Sequence, residues 1–348
     1  MAIKTPYYLF DIKKFKKLID EYKQIGDIFY PIKSNDDPLI IKMLINESCN
    51  FEVDSIEHIK LLVNEWKVHP NRLLYSYPIL EQEDIILANE LGIKKFVVDT
   101  EEEYQNICSV VENASFIVRL NSVNIIGTNL AISYNKWGMT IDGAKKLINK
   151  IYAEKHNVIG VSFYLFKEIV SSQSLKNMLH TISSEFRGYK LEYLNIGGGI
   201  APSDIRKIYN ELQDTQRAIG ANNVIIEPGT PLLNPCIDMV VSVTAIRTIN
   251  KHRFVFINAG IYRGLLDTII KQRQFELFDN NKDENCEIIK TIVCGSSSDV
   301  SDYLGEYYLR SNLCVGDQLV IKECGAYSNV MQTYFYRKER IPMFCNSD

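Results

Sequence analysis

The sequence contains no CxxC pair, no closely spaced histidines and no apolar run approaching the ~20 residues a membrane-spanning helix needs. Its eight cysteines (Cys49, Cys108, Cys236, Cys286, Cys294, Cys314, Cys324, Cys345) are scattered. That scatter argues against zinc and against a disulfide framework, and favours reduced thiols in a cytoplasm. The five histidines (His58, His69, His156, His180, His252) form no ligand pattern either, so no metal site is expected. No long basic block is present: Lys and Arg number 39 against 43 Asp and Glu, and the densest stretch, KKFKK at 13–17, lies on an amphipathic helix pattern and reads as a solvated face. A nucleic-acid partner is therefore not expected. The opening MAIKTPYYLFD lacks the basic–apolar–small layout of a secretory signal. Neither a GxGxxG fingerprint nor a P-loop lysine occurs.

What remains is a chain of 348 residues, 46% apolar, enough for one large domain and a smaller one. From about residue 11 to 232, short β-rich runs alternate with helical patterns. The runs are DIFYPI (27–32), NFEV (50–53), LLYSYP (73–78), KKFVVD (94–99), SFIVRL (115–120), NVIGVSFYL (157–165), YLNIGGG (193–199) and NVIIEPG (223–229). Amphipathic stretches such as PLIIKMLINES (38–48), SIEHIKLLVNEWK (55–67) and DIILANELG (84–92) lie between them. Eight strands separated by helices point to a parallel sheet, and eight is the number that closes a (β/α)8 TIM-type barrel; a doubly wound open sheet is the alternative. After Pro235, β-branched runs bounded by turns (IDMVVSVTAIRTI, RFVFINAG, EIIKTIVCG, DQLVIKECGAY) predict a mostly antiparallel β-domain over 233–348. A strand within 5–10 is expected to join it.

Three features carry chemistry. Lys33, in YPIKSN, stands at the end of the first barrel strand, where barrels gather functional groups. A desolvated lysine amine attacks carbonyls; a lysine snorkelling to the rim is the alternative reading. Gly197, Gly198 and Gly199, in NIGGGI, follow a strand directly and suit either the close approach of an anion to bare backbone or simply a tight turn. Glu227, in IIEPGT, puts a carboxylate at another strand end, suited to a cationic heterocycle.

In their order along the chain, YPIKSN, FEVDS, NKWGM, GVSF, NIGGGI, EPG, GSSSD and GAYS resemble the motifs of the pyridoxal-phosphate enzymes of the alanine-racemase/ornithine-decarboxylase fold. The likeness covers almost the whole chain and is nearest to the amino-acid decarboxylase branch, which acts on ornithine, arginine, diaminopimelate and related substrates. It implies pyridoxal 5'-phosphate as cofactor, held through the amine of Lys33. The phosphate would lie on the backbone of Gly197, Gly198 and Gly199, helped by Tyr327, and Glu227 would face the pyridine nitrogen. Glu52 and Arg119 match positions that orient the cofactor. The racemase branch places an arginine opposite that nitrogen, so Glu227 favours decarboxylation over racemisation or epimerisation. A non-catalytic, decarboxylase-like regulatory protein is a further alternative.

The chain also departs from the family. Ser298 stands where a proton-donating cysteine is expected, and a hydroxyl is a far weaker acid. Reprotonation would then fall to Lys33, Tyr327 or a water. Tyr164 replaces a histidine that stacks on the ring, Lys167 stands near a phosphate-contacting serine, and Thr230 replaces the arginine of EPGR. By position Lys271 replaces an acid that grips a distal amine, with Arg263 and Arg273 close in sequence. The expected substrate therefore has an anionic or conjugated distal end, although Asp299 and Asp302 could still bind an amine. The resemblance also implies a homodimer in which Ser298 and Asp299 act at the partner's cofactor.

Overall fold

The computed structural model describes residues 3–127, 130–168, 170–279 and 286–346. The chain divides into two compact units. One is formed by Leu18–Ile32 and Lys42–Gly229; the other takes the residues up to Lys17, the segment Lys33–Ile41 and the chain from Thr230 on. The segment carrying Lys33 is thus counted with the second unit.

The N-terminal strand β1 (Tyr7–Phe10) belongs to the second unit. The first unit is a closed barrel of eight parallel strands: β2 (Asp27–Pro31), β3 (Asn50–Val53), β4 (Leu73–Tyr75), β5 (Lys95–Val98), β6 (Ser115–Leu120), β7 (Asn157–Phe163), β8 (Tyr193–Asn195) and β9 (Asn223–Ile226). The order around the barrel is the order in sequence, and β9 closes onto β2 through Asp27↔Ile225 and Ile28↔Ile226. Side chains of alternate strand residues share a face. Phe29, Leu74, Val97, Ile117, Ile159 and Ile225 meet as one buried layer inside the barrel, with Tyr193 against it. Burying each such side chain is worth roughly 1.5–3 kcal/mol, which makes the layer the anchor of strand register.

Helices cover the outside by the 3.6-residue rule. Ile141–Ala153 buries Ala144, Leu147, Ile148 and Ile151, and Ser172–Glu185 buries Leu175, Met178, Leu179 and Ile182, the i, i+3, i+4, i+7 spacing in each. Each starts at a hydroxyl cap: Thr140 accepts from Gly143 N, and Ser171 from Ser174 N. The KKFKK stretch lies on helix Ile12–Lys23, with Phe15 buried and its four lysines exposed.

The second unit is built on β10 (Ile237–Ile249), β11 (His252–Ile257), β12 (Leu277–Asp279), β13 (Ile288–Cys294), β14 (Tyr303–Arg310), β15 (Gln318–Ile321) and β16 (Met343–Cys345). Its main path runs β12–β15–β10–β11–β13–β14. All neighbours on this path are antiparallel except β11 and β13. β1 adds to β10 antiparallel (Tyr8↔Met239) and takes β16 alongside in parallel (Tyr8↔Met343).

Several runs read as strands end earlier than the sequence suggests: β4 at Tyr75, β7 at Phe163, β8 at Asn195 and β9 at Ile226. The residues beyond each strand end leave the sheet as loops.

Candidate active site

In the barrel unit, two residues on from the apolar layer along a strand brings the chain to the same face at the C-terminal end. That step leads from Leu74 to Ser76, from Val97 to Asp99, from Ile117 to Arg119, from Tyr193 to Asn195 and from Ile225 to Glu227. A polar rim therefore sits on the C-terminal side of the layer, and Ser76, Asp99 and Arg119 line one depression there together with Pro78. Glu52, on β3 level with Leu74, is 2% exposed.

Arg119 has acids for company. Asp99 accepts a hydrogen bond from Gly138 N at 2.7 Å, which draws in the NKWGM loop. Burial raises the Asp99 carboxyl above the ordinary range, while the Gly138 N–H and Arg119 lower it. Glu103 accepts from Asp99 N at 3.1 Å and is pushed up to about 8, first by burial. Asn121 ties the same loop further, donating to Trp137 O at 2.9 Å.

Across the rim, the glycine turn is shaped by backbone crowding. A Cβ on Gly197 would lie 2.4 Å from Phe163 O, and one on Gly198 would lie 2.3 Å from Glu227 O. Gly197 and Gly199 also have φ of +67° and +81°. Only a bare backbone fits between the ends of β7 and β9. Tyr164 lies beside it, with its ring 3.9 Å from a Cβ placed on Gly199, and is held edge-on by Phe166 at 5.1 Å. Lys167 is exposed and pairs with Glu168 at 3.9 Å. Glu227 is half-buried; its N–H donates to Gly197 O at 2.9 Å, and its Oε1 accepts from Asn195 Nδ2 at 2.7 Å. Asn195, 1% exposed, also accepts from Gly197 N at 2.8 Å.

In the second unit, the Lys33 segment is fixed to the GAYS loop. Tyr327 N donates to Ser34 O at 2.8 Å, Asn35 Nδ2 donates to Gly325 O at 2.7 Å, and Ala326 N donates to Asn234 Oδ1 at 2.8 Å. Lys33 and Tyr327, 294 positions apart, are thereby carried on stitched segments. Lys271 lies with its ammonium 4.7 Å from the Tyr327 ring centroid and pairs with Asp267 at 2.8 Å. Asp267 is 5% exposed, and its Oδ1 has no hydrogen-bond partner among the described residues.

The GSSSD loop is held by Asp302. Asp302 is 4% exposed and accepts from Ile261 N at 2.8 Å and Ser297 N at 2.9 Å. Gly260 and Gly295 pack so closely on it that a Cβ on either would lie 2.3 Å or 2.1 Å from its Oδ1. These contacts describe a carboxylate that pins two loops. Asp299 accepts from Ser301 N at 2.8 Å, and that backbone N–H is the first cause holding its carboxyl below the usual range. Ser298 is exposed, its hydroxyl 2.6 Å from Tyr336 OH. Nothing in the sequence pattern singles out Tyr336. Asn195, Ser76 and Asp99 were within reach, since each lies two residues beyond a core position.

The bare glycine turn beside a fixed carboxylate fits a phosphate and a protonated heterocycle, and the rest of the chain agrees. Residues 11–233 match the family model described as pyridoxal-dependent decarboxylase, pyridoxal binding domain. The chain belongs to the pyridoxal-dependent decarboxylases. Within that family it is 22% identical to lysine/ornithine decarboxylase of Selenomonas ruminantium over 352 residues, covering 96% of this chain and 87% of that protein. It is also 22% identical to antizyme inhibitor 1 of Rattus norvegicus over 355 residues, covering 93% and 78%. The crystal structure of lysine decarboxylase from Selenomonas ruminantium superposes with a TM-score of 0.87 at 20% identity, over 100% of this chain and 94% of that one. Pyridoxal phosphate is the cofactor of the family. Among the described residues no group of three His, Cys, Asp or Glu side chains could hold a metal ion, and no helix is long and apolar enough to cross a membrane.

Proposed function

We propose that this chain decarboxylates an α-amino acid whose distal end is anionic or conjugated, using a cofactor-binding domain over 11–232 and a β-domain over 233–348 with its N-terminal strand. The observation that carries this reading is the Glu227 carboxylate, fixed at the end of β9 against the three-glycine turn. When bound, pyridoxal phosphate supplies an electron sink for the charge left as the α-carboxylate departs as CO2. The backbone of Gly197, Gly198 and Gly199 binds the phosphate, with Lys167 as an added cation. Glu227 keeps the ring nitrogen protonated, Tyr164 offers an aromatic face, and Glu52 and Arg119 orient the ring. Lys33 would hold the cofactor through its Nζ. Ser298 is a poor acid, so the proton returned to the α-carbon would come from Lys33 Nζ, the Tyr327 hydroxyl or a water.

Lys271 supports the substrate class. Tethered to Asp267 and resting on Tyr327, its ammonium would repel a free distal amine brought beside it. Asp299 and Asp302 remain the acidic groups that could meet an amine. The enzyme is proposed to be a cytoplasmic homodimer in which Ser298 and Asp299 serve the partner's cofactor. Its eight free cysteines are compatible with a reducing compartment.

The test begins with colour. Protein purified with pyridoxal phosphate should absorb near ~420 nm, and borohydride should fix the cofactor's mass on Lys33. Lys33→Ala should lose both signals and at least about a thousandfold of the activity, about 4 kcal/mol in barrier height. A CO2-release screen over amino acids with cationic, anionic and conjugated distal ends then tests the substrate. Equal turnover of free ornithine or lysine would sink the distal-end assignment. Lys271→Asp should shift preference toward those diamine precursors by about tenfold or more. The similarity to antizyme inhibitor 1 favours one other reading, a non-catalytic regulator, and a colourless protein that releases no CO2 would establish it.

A further inference from the structure

The Asn195 side chain touches both the glycine turn and Glu227. Its Oδ1 accepts from Gly197 N at 2.8 Å and its Nδ2 donates to Glu227 Oε1 at 2.7 Å. The backbone N–H at one end can only donate, so it fixes which way the amide faces. The NH2 end must then point at Glu227, and Oε1 must act there as an acceptor rather than carry a proton. The side chain is 1% exposed, so water cannot take over either bond. A second link runs the other way, Glu227 N to Gly197 O at 2.9 Å, and leaves turn and carboxylate in one register.

We propose that Asn195 is a positioning residue that couples the phosphate end of the cofactor site to its ring-nitrogen end, holding Glu227 Oε1 as an unprotonated acceptor while setting the glycine turn. The inference rests on the cofactor placement proposed above. It explains an amide at this position. An aspartate would still accept from Gly197 N, but its second oxygen would meet Glu227 Oε1 as two acceptors with no proton between them. An alanine would release both ends.

The test uses the full chain stripped of cofactor and two probes, pyridoxal 5'-phosphate and pyridoxal, which lacks the phosphate. Binding is read by the visible absorbance of the bound probe. Asn195→Asp keeps the turn contact and loses the carboxylate contact, so affinity for both probes should fall by the same factor, about tenfold, the worth of one hydrogen bond to a charged group. The absorbance maximum should shift with it. Asn195→Ala should weaken both probes and should also reduce the advantage of the phosphorylated probe over pyridoxal. In a Glu227→Gln background, Asn195→Asp should cost much less, because a glutamine amide can turn its NH2 toward the new carboxylate. Wild-type affinity for both probes in Asn195→Asp would overturn the proposal, and so would an unchanged cost of that substitution in Glu227→Gln. Failure of the unsubstituted chain to bind either probe would instead overturn the cofactor placement. Thermal unfolding of each variant without cofactor separates loss of fold from loss of site.

Discussion

The two units place their polar groups by different rules. In the barrel, alternation along parallel strands lifts Ser76, Asp99, Arg119, Asn195 and Glu227 to one rim, each two residues beyond a core side chain. In the β-unit, the groups that matter ride on turns between strands: Lys271 after a short helix, Asp302 and Ser298 between β13 and β14, Tyr327 beyond β15. A strand dictates where its neighbour in sequence points, whereas a turn does not. Barrel side chains can therefore be assigned a face from spacing alone, but each turn side chain has to be judged by its contacts.

The sharpest way to break that contrast is to add one methyl group to each unit. At Gly198 it would press on Glu227 O at 2.3 Å, backbone that cannot yield, with the Glu227 Cβ at 3.8 Å. Gly198→Ala should cost about 3 kcal/mol in denaturant unfolding and abolish cofactor retention. At Gly316, in the β-unit, nothing lies within 4 Å of the added Cβ, and the only penalty is the backbone at φ +96°. Gly316→Ala should cost about 1–2 kcal/mol and leave cofactor binding intact. Equal losses would mean that the glycine turn is ordinary chain reversal and no cradle.

A second substitution asks whether the turn carboxylate at 302 belongs to the fold. Asp302→Asn replaces one acceptor with a donor facing a backbone N–H, of either Ile261 or Ser297. Stability should fall by about 1–3 kcal/mol, with KM for the substrate unchanged in the folded fraction. A raised KM at undiminished stability would return Asp302 to the substrate.

The same division explains what the sequence made readable. Eight strands, the barrel, Lys33 after β2 and the glycine turn after β8 all follow from β-branched runs with a polar or glycine end. Asn195 was equally placed, and it was passed over because an amide beside three glycines carries no chemistry of its own; only its two partners give it a role. The sequence offers Asp302 as a group that could bind an amine, and nothing in its pattern shows that it is buried. Its burial depends on Gly260 and Gly295 leaving room for it, a relation between positions far apart in sequence. The Ser298–Tyr336 pair crosses 38 positions with no motif at the tyrosine. Contacts of this kind are set by how turns fold back, and no periodicity encodes them.

A pH-dependent effect lies within the barrel, at an acid the chemistry does not use. Glu103 is 6% exposed and titrates near about 8, raised chiefly by burial, with Asp99 adding to the shift and the Asp99 N–H and Arg119 opposing it. An unfolded glutamate titrates near ~4.3. Between those values the folded chain keeps a proton that the unfolded chain has lost, so stability is greatest below ~4.3 and declines as pH rises to about 8. The slope from this one group is at most about 1.4 kcal/mol per pH unit. Asp99, also raised by burial, adds a slope of the same sign. Glu103→Gln fixes the neutral form, so urea midpoints measured from pH 5 to pH 8 should lose most of their decline, leaving the Asp99 share. A variant that keeps the full decline would show that Glu103 is ionised in the folded barrel and that Arg119, rather than burial, governs the acids around it.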